Sequence, residues 1–290
     1  MDYSKIRIVI GTKGRVNRQI TLKYLWQIRE YIDIICHPDD FDELYSKYAD
    51  EVCSIVAYPI ELDNHLGKQR QWIVEQTKQD YLLLLDDNLA FHTRSKSIIG
   101  EETKFPLKGL IAKHFPPENM RIEIDNMLEA LYSHIILDDV AIVGLSNRSG
   151  NQNVKSSYTE NTRIFGASLV DLRLMKELGI RYDEVNMKQD FYINLSFLTN
   201  GYKNICIYDW AFEKPQANMA GGCSSYRTLE KSNEAAKILY EKFPSFISIR
   251  EKSVKSWGEN FADGGTAYDV VVLWKKAYNH GLSKNRNEEW

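Results

Sequence analysis

The 290-residue sequence contains no apolar run that approaches the roughly 20 residues needed by a membrane-spanning helix. It also lacks the pattern of a secretory signal peptide, because its polar first residues lead directly into a short apolar segment. These absences predict a protein that has no membrane partner and works in the reducing environment of the cytoplasm.

Cysteine is scarce, and the four residues are scattered without a CxxC pair, which argues against a zinc site. Cys36, Cys53 and Cys206 lie in apolar runs, so we expect them to be buried thiols. The net charge of −3 gives no overall basic field, and a nucleic-acid partner would therefore require a local basic patch. The motifs GxGxxG and GxxxxGK[ST] are absent, which excludes the two common glycine-rich phosphate-binding loops.

Hydrophobic residues make up 43% of the chain and charged residues 27%, which excludes a mostly disordered protein. Strand and helix patterns alternate through residues 1–90, and they predict an α/β fold with a doubly wound, mostly parallel sheet and helices on both faces. No flexible linker, low-complexity tract or internal repeat interrupts the chain, so we predict a single domain over residues 1–290. The predicted strands cover residues 6–10, 32–36, 52–56, 81–85, 140–145, 162–170 and 204–210. The predicted helices cover residues 17–30, 38–48, 67–79, 122–137, 191–198 and 228–242. Two parts are predicted to be irregular, an insert over residues 92–121 and a frayed polar tail over residues 283–290.

The most informative stretch is the apolar run over residues 81–85, which ends abruptly in Asp86, Asp87 and Asn88. A short unbroken apolar run is typical of a central parallel strand that is buried on both faces. The carboxyl ends of such strands form the edge at which α/β proteins bind ligands. Carboxylate and amide oxygens in that place suit Mg²⁺ or Mn²⁺ together with a phosphate-bearing substrate, although the same residues are also typical of a turn or a helix cap.

The loop after the first predicted strand, residues 11–18, carries two glycines and three cations. Glycines let backbone amides approach a ligand, and cations neutralise phosphate charge. Because this loop lies at the carboxyl end of its strand, we regard it as a candidate nucleotide-binding loop. Its candidate ligand-binding residues are Gly11, Thr12, Lys13 and Arg15.

Cations also stand where a helix dipole disfavours them. Lys68 and Arg70 lie in the first turn of the helix over residues 67–79, and Arg227 lies at the entrance of the helix over 228–242. A bound anion would explain both placements, whereas solvated surface charge is the alternative reading. A glycine-rich segment before Arg227 is a candidate cradle for an anion or an acceptor, or else a simple turn. The candidate acceptor- or phosphate-binding residues are Arg148, Gly221, Gly222, Ser224 and Arg227.

Asp190 directly precedes the predicted apolar helix over residues 191–198. A carboxylate in this place is typical of a helix N-cap, in which the side chain accepts hydrogen bonds from the first turn. The functional interpretation is a general base that takes the proton of an acceptor hydroxyl.

In combination, these motifs resemble the GT-A fold of nucleotide-sugar glycosyltransferases. The Gly67-x-x-Arg70 helix, followed by an apolar strand that ends in Asp86-Asp87-Asn88, is similar to the nucleotide-binding half and the DxD motif of that fold. Residues 188–190 are similar to the xED segment that often supplies the base in inverting members. The pairing of residues 201–204 with 221–227 resembles phage glycosyltransferases of DNA hypermodification, which attach sugars to 5-hydroxymethylpyrimidines such as 5-hydroxymethylcytosine. Asn88 replaces the usual last Asp, and Gln189 replaces the usual Glu.

This resemblance implies a GT-A-like catalytic domain in which residues 1–90 bind the nucleotide and residues 91–290 bind the acceptor. It implies a hexosyl- or pentosyltransferase that uses a UDP-sugar, Mn²⁺ or Mg²⁺, and double-stranded DNA with hydroxymethylated pyrimidines, in the cytoplasm of a bacterial host if the chain is phage-encoded. Asp86 and Asn88 would hold the metal, and Asp190 would be the general base. The nucleotide-sugar would contact Gly11, Thr12, Lys13, Arg15, Lys68, Arg70, Asp86 and Asp87.

Other classes of function stay open. A transferase with a saccharide or small-molecule acceptor is favoured by the modest net charge, because proteins that bind DNA usually have a basic face. A non-catalytic binding module on a transferase scaffold would fit the departures at Asn88 and Gln189. A sugar-phosphate nucleotidyltransferase is disfavoured, because residues 11–15 do not match its glycine-rich signature.

Overall fold

The centre of the fold is a mixed β-sheet with an apolar core on each face. The computed structural model describes residues 2–94, 107–111, 113–150, 156–214, 228–254 and 265–288. Within these residues the sheet has ten strands. In chain order the strands are β1 (Ile6–Thr12), β2 (Ile32–Cys36), β3 (Ser54–Ala57), β4 (Tyr81–Asp86), β5 (Ala90–Arg94), β6 (Leu107–Gly109), β7 (Val140–Asn147), β8 (Tyr158–Glu160), β9 (Ala167–Asp171) and β10 (Lys203–Glu213).

The order of the strands brings several carboxyl ends to one edge of the sheet. β3, β2, β1 and β4 pair in parallel in that order. β9 runs antiparallel between β4 and β7, and β7 pairs in parallel with β10. β1, β2, β3, β4, β7 and β10 therefore point the same way. β5 and β8 pair antiparallel with β10, and β6 pairs with β5.

The unbroken apolar run of β4 is explained by the two cores that it separates. Leu83 and Leu85 pack into one apolar core, whereas Leu82 and Leu84 pack into the other. Successive side chains of a strand point to opposite faces, so a strand that is covered on both sides needs apolar residues at every position.

Helices supply both of these cores. They are α1 (Ile20–Tyr24), α2 (Phe41–Tyr48), α3 (Leu66–Glu75), α4 (Pro117–Ile135), α5 (Leu172–Glu177), α6 (Gln189–Thr199), α7 (Leu229–Lys242) and α8 (Trp274–Glu288). Helices α1, α2 and α4 pack against the core that contains Leu83, and α3, α5, α6, α7 and α8 pack against the core that contains Leu82. The predicted α/β fold with helices on both faces is confirmed. None of the described helices combines the length and the apolar character that crossing a bilayer requires.

A second, two-stranded sheet follows α7 in the chain and was not predicted. β11 (Ile247–Val254) pairs antiparallel with β12 (Gly265–Val272). The middle of β11 is exposed and charged, so the sequence shows no apolar alternation there. Both strands of this pair pack on α7.

Several predicted elements were wrong in extent. The helix predicted over residues 17–30 is limited to α1 and a following 3-10 segment, Trp26–Tyr31, because residues 15–19 belong to the loop that binds the end of β4. The predicted irregular insert over residues 92–121 contains part of β5, all of β6 and the start of α4. The strand predicted over residues 162–170 begins only at β9. The tail that was predicted to be frayed is helical through Glu288. Cys53 is exposed rather than buried, whereas Cys36 and Cys206 are buried as predicted.

Candidate active site

The three polar residues after the apolar run lie at the carboxyl edge of the sheet, as predicted. Asp86 is the last residue of β4 and lies directly opposite Gly11 of β1. A Cβ atom at Gly11 would meet nothing within 4 Å, so no neighbour requires glycine at this position. The glycine instead leaves the backbone beside Asp86 open to a ligand.

Asp87 is buried and holds the first loop in place. Its carboxylate accepts hydrogen bonds from the Thr12 hydroxyl at 2.7 Å and from Arg15 Nη1 at 2.6 Å. Gln19 Nε2 donates to Thr12 Oγ1 at 3.0 Å and to the Arg15 carbonyl at 2.9 Å. Burial raises the pKa of Asp87, and the interactions with Arg15 and Thr12 offset this effect only in part. Asp87 therefore anchors the loop from within.

Asp86 faces the other side of the sheet and is more open, with its side chain 32% exposed. Arg70 Nη2 of α3 lies 3.3 Å from Oδ1, and Lys214 Nζ lies 2.5 Å from Oδ2. Burial opposes ionisation of this carboxyl, but Lys214 and Arg70 outweigh it and hold the pKa of Asp86 below its usual range. The structure thus places an ionised carboxylate between two cations at the ligand-binding edge.

Gly67 explains how α3 delivers Arg70 to this edge. The start of α3 packs so closely on the segment before α6 that a Cβ atom at residue 67 would lie 2.4 Å from the Val185 carbonyl oxygen. Arg70 follows on the same face, and its guanidinium lies 5.9 Å from the centre of the Tyr182 ring. Lys68 is exposed and forms no ion pair with the described residues; its backbone N–H is capped by His65 Nδ1 at 3.1 Å. In the Gly67-x-x-Arg70 motif, the glycine therefore allows the close packing of α3, and the arginine brings a positive charge to the sheet edge.

Lys214, at the end of β10, is a site residue that the sequence did not reveal. Its Nζ lies 5.6 Å from the centre of the Phe165 ring and 5.9 Å from that of Phe212. Gly166 has a φ of +77°, and a Cβ atom there would lie 3.0 Å from the Phe212 ring and 3.3 Å from Lys214 Cε. The Gly166 carbonyl also accepts the backbone N–H of Asp86 at 3.0 Å. The predicted strand over 204–210 ended short of this lysine.

Asp190 lies in the first turn of α6 and pairs with Arg163, whose Nε is 2.5 Å from Oδ2. The N-cap of α6 is Lys188, in the left-handed conformation with a φ of 59°, and no side chain caps the helix. The interpretation of Asp190 as a helix cap is therefore wrong. The Arg163 guanidinium lies over the rings of Phe165 at 4.7 Å and Phe191 at 4.0 Å.

Phe165 thus connects two ion pairs, Asp86 with Lys214 and Asp190 with Arg163. Both cations lie near its ring. Burial raises the pKa of Tyr182 to about 12, while the charge of Arg70 lowers it and that of Asp190 raises it. Asp86 and Asp190 are therefore linked through their partner cations and the Phe165 ring.

A second polar cluster lies where β1, β2 and β3 end. Lys13 Nζ contacts both oxygens of Asp63, at 2.6 and 2.8 Å, and the Tyr58 hydroxyl donates to the same carboxylate at 3.1 Å. His37 Nε2 lies 3.6 Å from Asp63, and its ring packs edge-on to Tyr58. Burial raises the pKa of Asp63, but the hydrogen bond from Lys13 outweighs this effect, and the pKa lies below its usual value. Only Lys13 of this cluster was predicted.

The predicted acceptor residues are placed only in part. Arg148 follows β7 and pairs with Glu213 of β10 at 2.6 Å, and His92 Nε2 lies 3.7 Å from the same carboxylate. Burial and the charge of Arg148 lower the pKa of His92. The remaining predicted acceptor residues, Gly221, Gly222, Ser224 and Arg227, lie outside the described residues.

The donor atoms at the end of β4 fit a hard divalent cation. Asp86 offers a partly exposed carboxylate, whereas Asn88 is only 7% exposed, and its side chain forms no hydrogen bond with the described residues. Within the parts of the chain that the structure describes, no three His, Cys, Asp or Glu side chains form a metal-binding group. Two protein oxygens completed by phosphate oxygens and water are typical of Mg²⁺ and Mn²⁺ sites that act on nucleotides.

Comparison with solved structures supports the fold. Crystal structures of S. aureus TarS residues 1–349 with UDP-GlcNAc and with UDP superpose with TM-scores of 0.51 and 0.50, at 13% and 11% sequence identity. The matches cover 81% and 82% of this chain and 66% and 65% of the TarS chain. They confirm the predicted GT-A-like fold.

Comparison with known sequences identifies the family. The beta-glucosyl-HMC-alpha-glucosyl-transferases of Enterobacteria phages T2 and T6 are each 27% identical to this chain over 106 residues, which cover 36% of this chain and 38% of each phage protein. The family model described as TET-Associated Glycosyltransferase matches residues 6–222, most of the chain and all of β1 to β10. The chain belongs to the TET-associated glycosyltransferase family.

Proposed function

We propose that this chain is a metal-dependent glycosyltransferase that moves a sugar from a UDP-sugar to the hydroxymethyl group of a modified pyrimidine in double-stranded DNA. The observation that carries the proposal is the arrangement of Asp86 and Asp190, each paired with a cation and connected through Phe165. Family membership supports the reaction type. The UDP and UDP-GlcNAc complexes of TarS support the donor, and the names of the phage relatives support a modified pyrimidine as the acceptor.

The nucleotide would bind along the carboxyl ends of β1 to β4. We propose that the cluster of Lys13, His37, Tyr58 and Asp63 contacts the uridine, because it combines aromatic faces with hydrogen-bonding groups beside the open backbone at Gly11. Arg70 would counterbalance the diphosphate, since it lies beside Asp86 at the same edge. Asp87 would act indirectly by keeping Arg15 and the first loop in position.

Asp86 and Asn88 would hold Mn²⁺ or Mg²⁺, which neutralises the charge that develops on the departing diphosphate. The separation of roles between neighbouring carboxylates supports this assignment. Asp86 is partly exposed, whereas Asp87 is buried and already bonded on both oxygens.

Asp190 would act as the general base of an inverting transfer. The acceptor oxygen forms a bond to the anomeric carbon of the sugar while the bond from that carbon to the diphosphate breaks, and the hydroxyl proton passes to the Asp190 carboxylate. Arg163, held over Phe165 and Phe191, would keep this carboxylate in one orientation. A base in duplex DNA would reach the site by flipping out of the stack.

We also propose that residues 1–90 bind the nucleotide and residues 91–290 bind the acceptor, and that the protein works in the cytoplasm of a bacterial host. Arg148 would take part in acceptor or phosphate binding, because its pair with Glu213 lies at the carboxyl ends of β7 and β10. Transfer to a saccharide or a small molecule is the second candidate function, and the net charge of −3 favours it.

The proposal is tested by incubating the full chain with a panel of UDP-sugars, Mn²⁺ and either hydroxymethylated or unmodified duplex DNA. Products are identified by mass spectrometry of nucleosides, and released UDP is measured in parallel. We expect a glycosylated hydroxymethylpyrimidine that disappears when the metal is chelated. UDP release stimulated by saccharides but not by DNA would instead establish the second candidate, and no release from any donor would refute the transferase.

A further inference from the structure

Lys214 pairs with Asp86, the carboxylate that is proposed to hold the divalent cation. Its Nζ lies 2.5 Å from Oδ2, while Arg70 lies on the other oxygen at 3.3 Å. A carboxylate with a cation on each oxygen is electrostatically satisfied before any metal arrives. A metal that binds Asp86 therefore competes with two protein cations for the charge of the same carboxylate.

The position of Lys214 is fixed by packing as well as by charge. Its side chain is only 24% exposed and lies near the rings of Phe165 and Phe212. Gly166 provides the space, since a side chain at that residue would meet both the Phe212 ring and Lys214 Cε. A surface lysine that paired with Asp86 by chance would need neither the glycine nor the two rings.

The geometry points to Lys214 as a built-in counter-ion that competes with the divalent cation for Asp86. When no metal is bound, Lys214 neutralises the carboxylate and keeps the sheet edge ordered. On metal binding, the Lys214 ammonium would give up its contact with Asp86 Oδ2. This inference rests on the proposed metal-dependent function. It adds that Lys214 lowers the affinity of the site for the divalent cation.

Binding of Mn²⁺ alone to the full-length chain, measured by isothermal titration calorimetry, tests the competition. Lys214→Gln removes the competing charge and should tighten Mn²⁺ binding on the order of tenfold, because two cations a few ångströms apart repel each other strongly in a partly buried site. Lys214→Met retains the length and the apolar packing and should tighten it similarly. Lys214→Arg retains the charge and should leave the affinity close to that of the parent.

A matched control is available on the same strand. Lys203 stands at the opposite end of β10, pairs with Asp139 at 2.8 Å and has a similarly exposed side chain. Lys203→Gln changes the net charge by the same amount, so its Mn²⁺ affinity should not change. Circular dichroism and thermal melting show whether each variant is folded.

The outcomes separate this inference from the function on which it rests. Unchanged or weaker Mn²⁺ binding by folded Lys214→Gln and Lys214→Met would overturn the competition, even if the parent transfers sugar to DNA. Tighter binding by both variants would support it, even if the acceptor is not DNA. Equal tightening by Lys203→Gln would overturn it too, since the effect would then be one of net charge.

Discussion

The ion pair between Asp190 and Arg163 allows a test that separates catalysis from stability. Asp190→Asn retains the shape of the side chain but cannot accept a proton from an acceptor hydroxyl. If Asp190 is the general base, the rate of sugar transfer should fall by a factor on the order of 10² or more, which is the usual scale of acid–base catalysis. Binding of UDP should not change, because within the described residues Asp190 pairs with Arg163 and forms no hydrogen bond or ion pair with the first loop or with the polar cluster of Lys13.

The structure also limits how much stability this substitution can remove. The Arg163 side chain is 41% exposed and that of Asp190 16%, and an ion pair that water reaches from the side of the cation contributes on the order of 1 kcal/mol to the free energy of unfolding. For a chain of this size, 1 kcal/mol corresponds to roughly 2–4 °C in Tm. No helix cap is lost, because the Asp190 carboxylate caps nothing. The rate should therefore collapse in a protein that melts only slightly earlier.

Arg163→Gln is the matched control, since it breaks the same ion pair but leaves the carboxylate. Its Tm should fall at least as much as that of Asp190→Asn, because it also loses the guanidinium over Phe165 and Phe191, while its transfer rate should fall far less. The rates are measured in single turnovers with a UDP-sugar and hydroxymethylated DNA, and the melting curves by circular dichroism. A parental rate for Asp190→Asn, or equal rate losses in the two variants, would refute the role as a base and make the pair purely structural.

The sequence was sufficient for those features that depend on local patterns. The run over residues 81–85 has apolar side chains at every position, and only a strand between two cores requires this. The polar residues that follow therefore had to lie at the sheet edge. Arg70 was singled out because a cation in the first turn of a helix opposes the helix dipole, and Gly67 was paired with it through the resemblance to the GT-A fold.

The partners of the two carboxylates could not be found in this way, because they come from distant parts of the chain. Lys214 is 128 residues from Asp86, and the irregular pairing of β10 between Ile207 and Ala211 breaks the strand pattern just before it. Arg163 lay inside a predicted strand, whereas the actual strand, β9, begins four residues later. Contacts of this kind depend on tertiary packing. The hydrophobic pattern of a single segment predicts its secondary structure but not its partners elsewhere in the chain.

Three further predictions follow from the polar residues at the sheet edge and at the start of α3. Asp86→Ala should abolish metal-dependent transfer in a protein that remains folded; a variant that keeps most of its metal-stimulated activity would remove Asp86 from the site. Asp87→Ala should instead lower the free energy of unfolding by about 3 kcal/mol, because it removes a buried carboxylate that holds both Arg15 and Thr12, and a urea unfolding midpoint equal to that of the parent would contradict this. The last concerns pH. His65 Nδ1 accepts the backbone N–H of Lys68 and caps α3, which requires a neutral ring, and burial together with the charge of Lys68 lowers the pKa of His65 below its ordinary value of 6.5. Because the unfolded chain binds a proton more readily than the folded one, the stability due to His65 is complete above pH 6.5 and is lost as the pH falls from there through the folded pKa. His65→Asn provides a cap that does not titrate, so the Tm difference between this variant and the parent should shift in favour of the variant between about pH 7 and pH 5, above the range in which most carboxylates titrate. If the Tm difference between the two proteins stayed constant over that pH range, the ring of His65 would not be the group that caps α3.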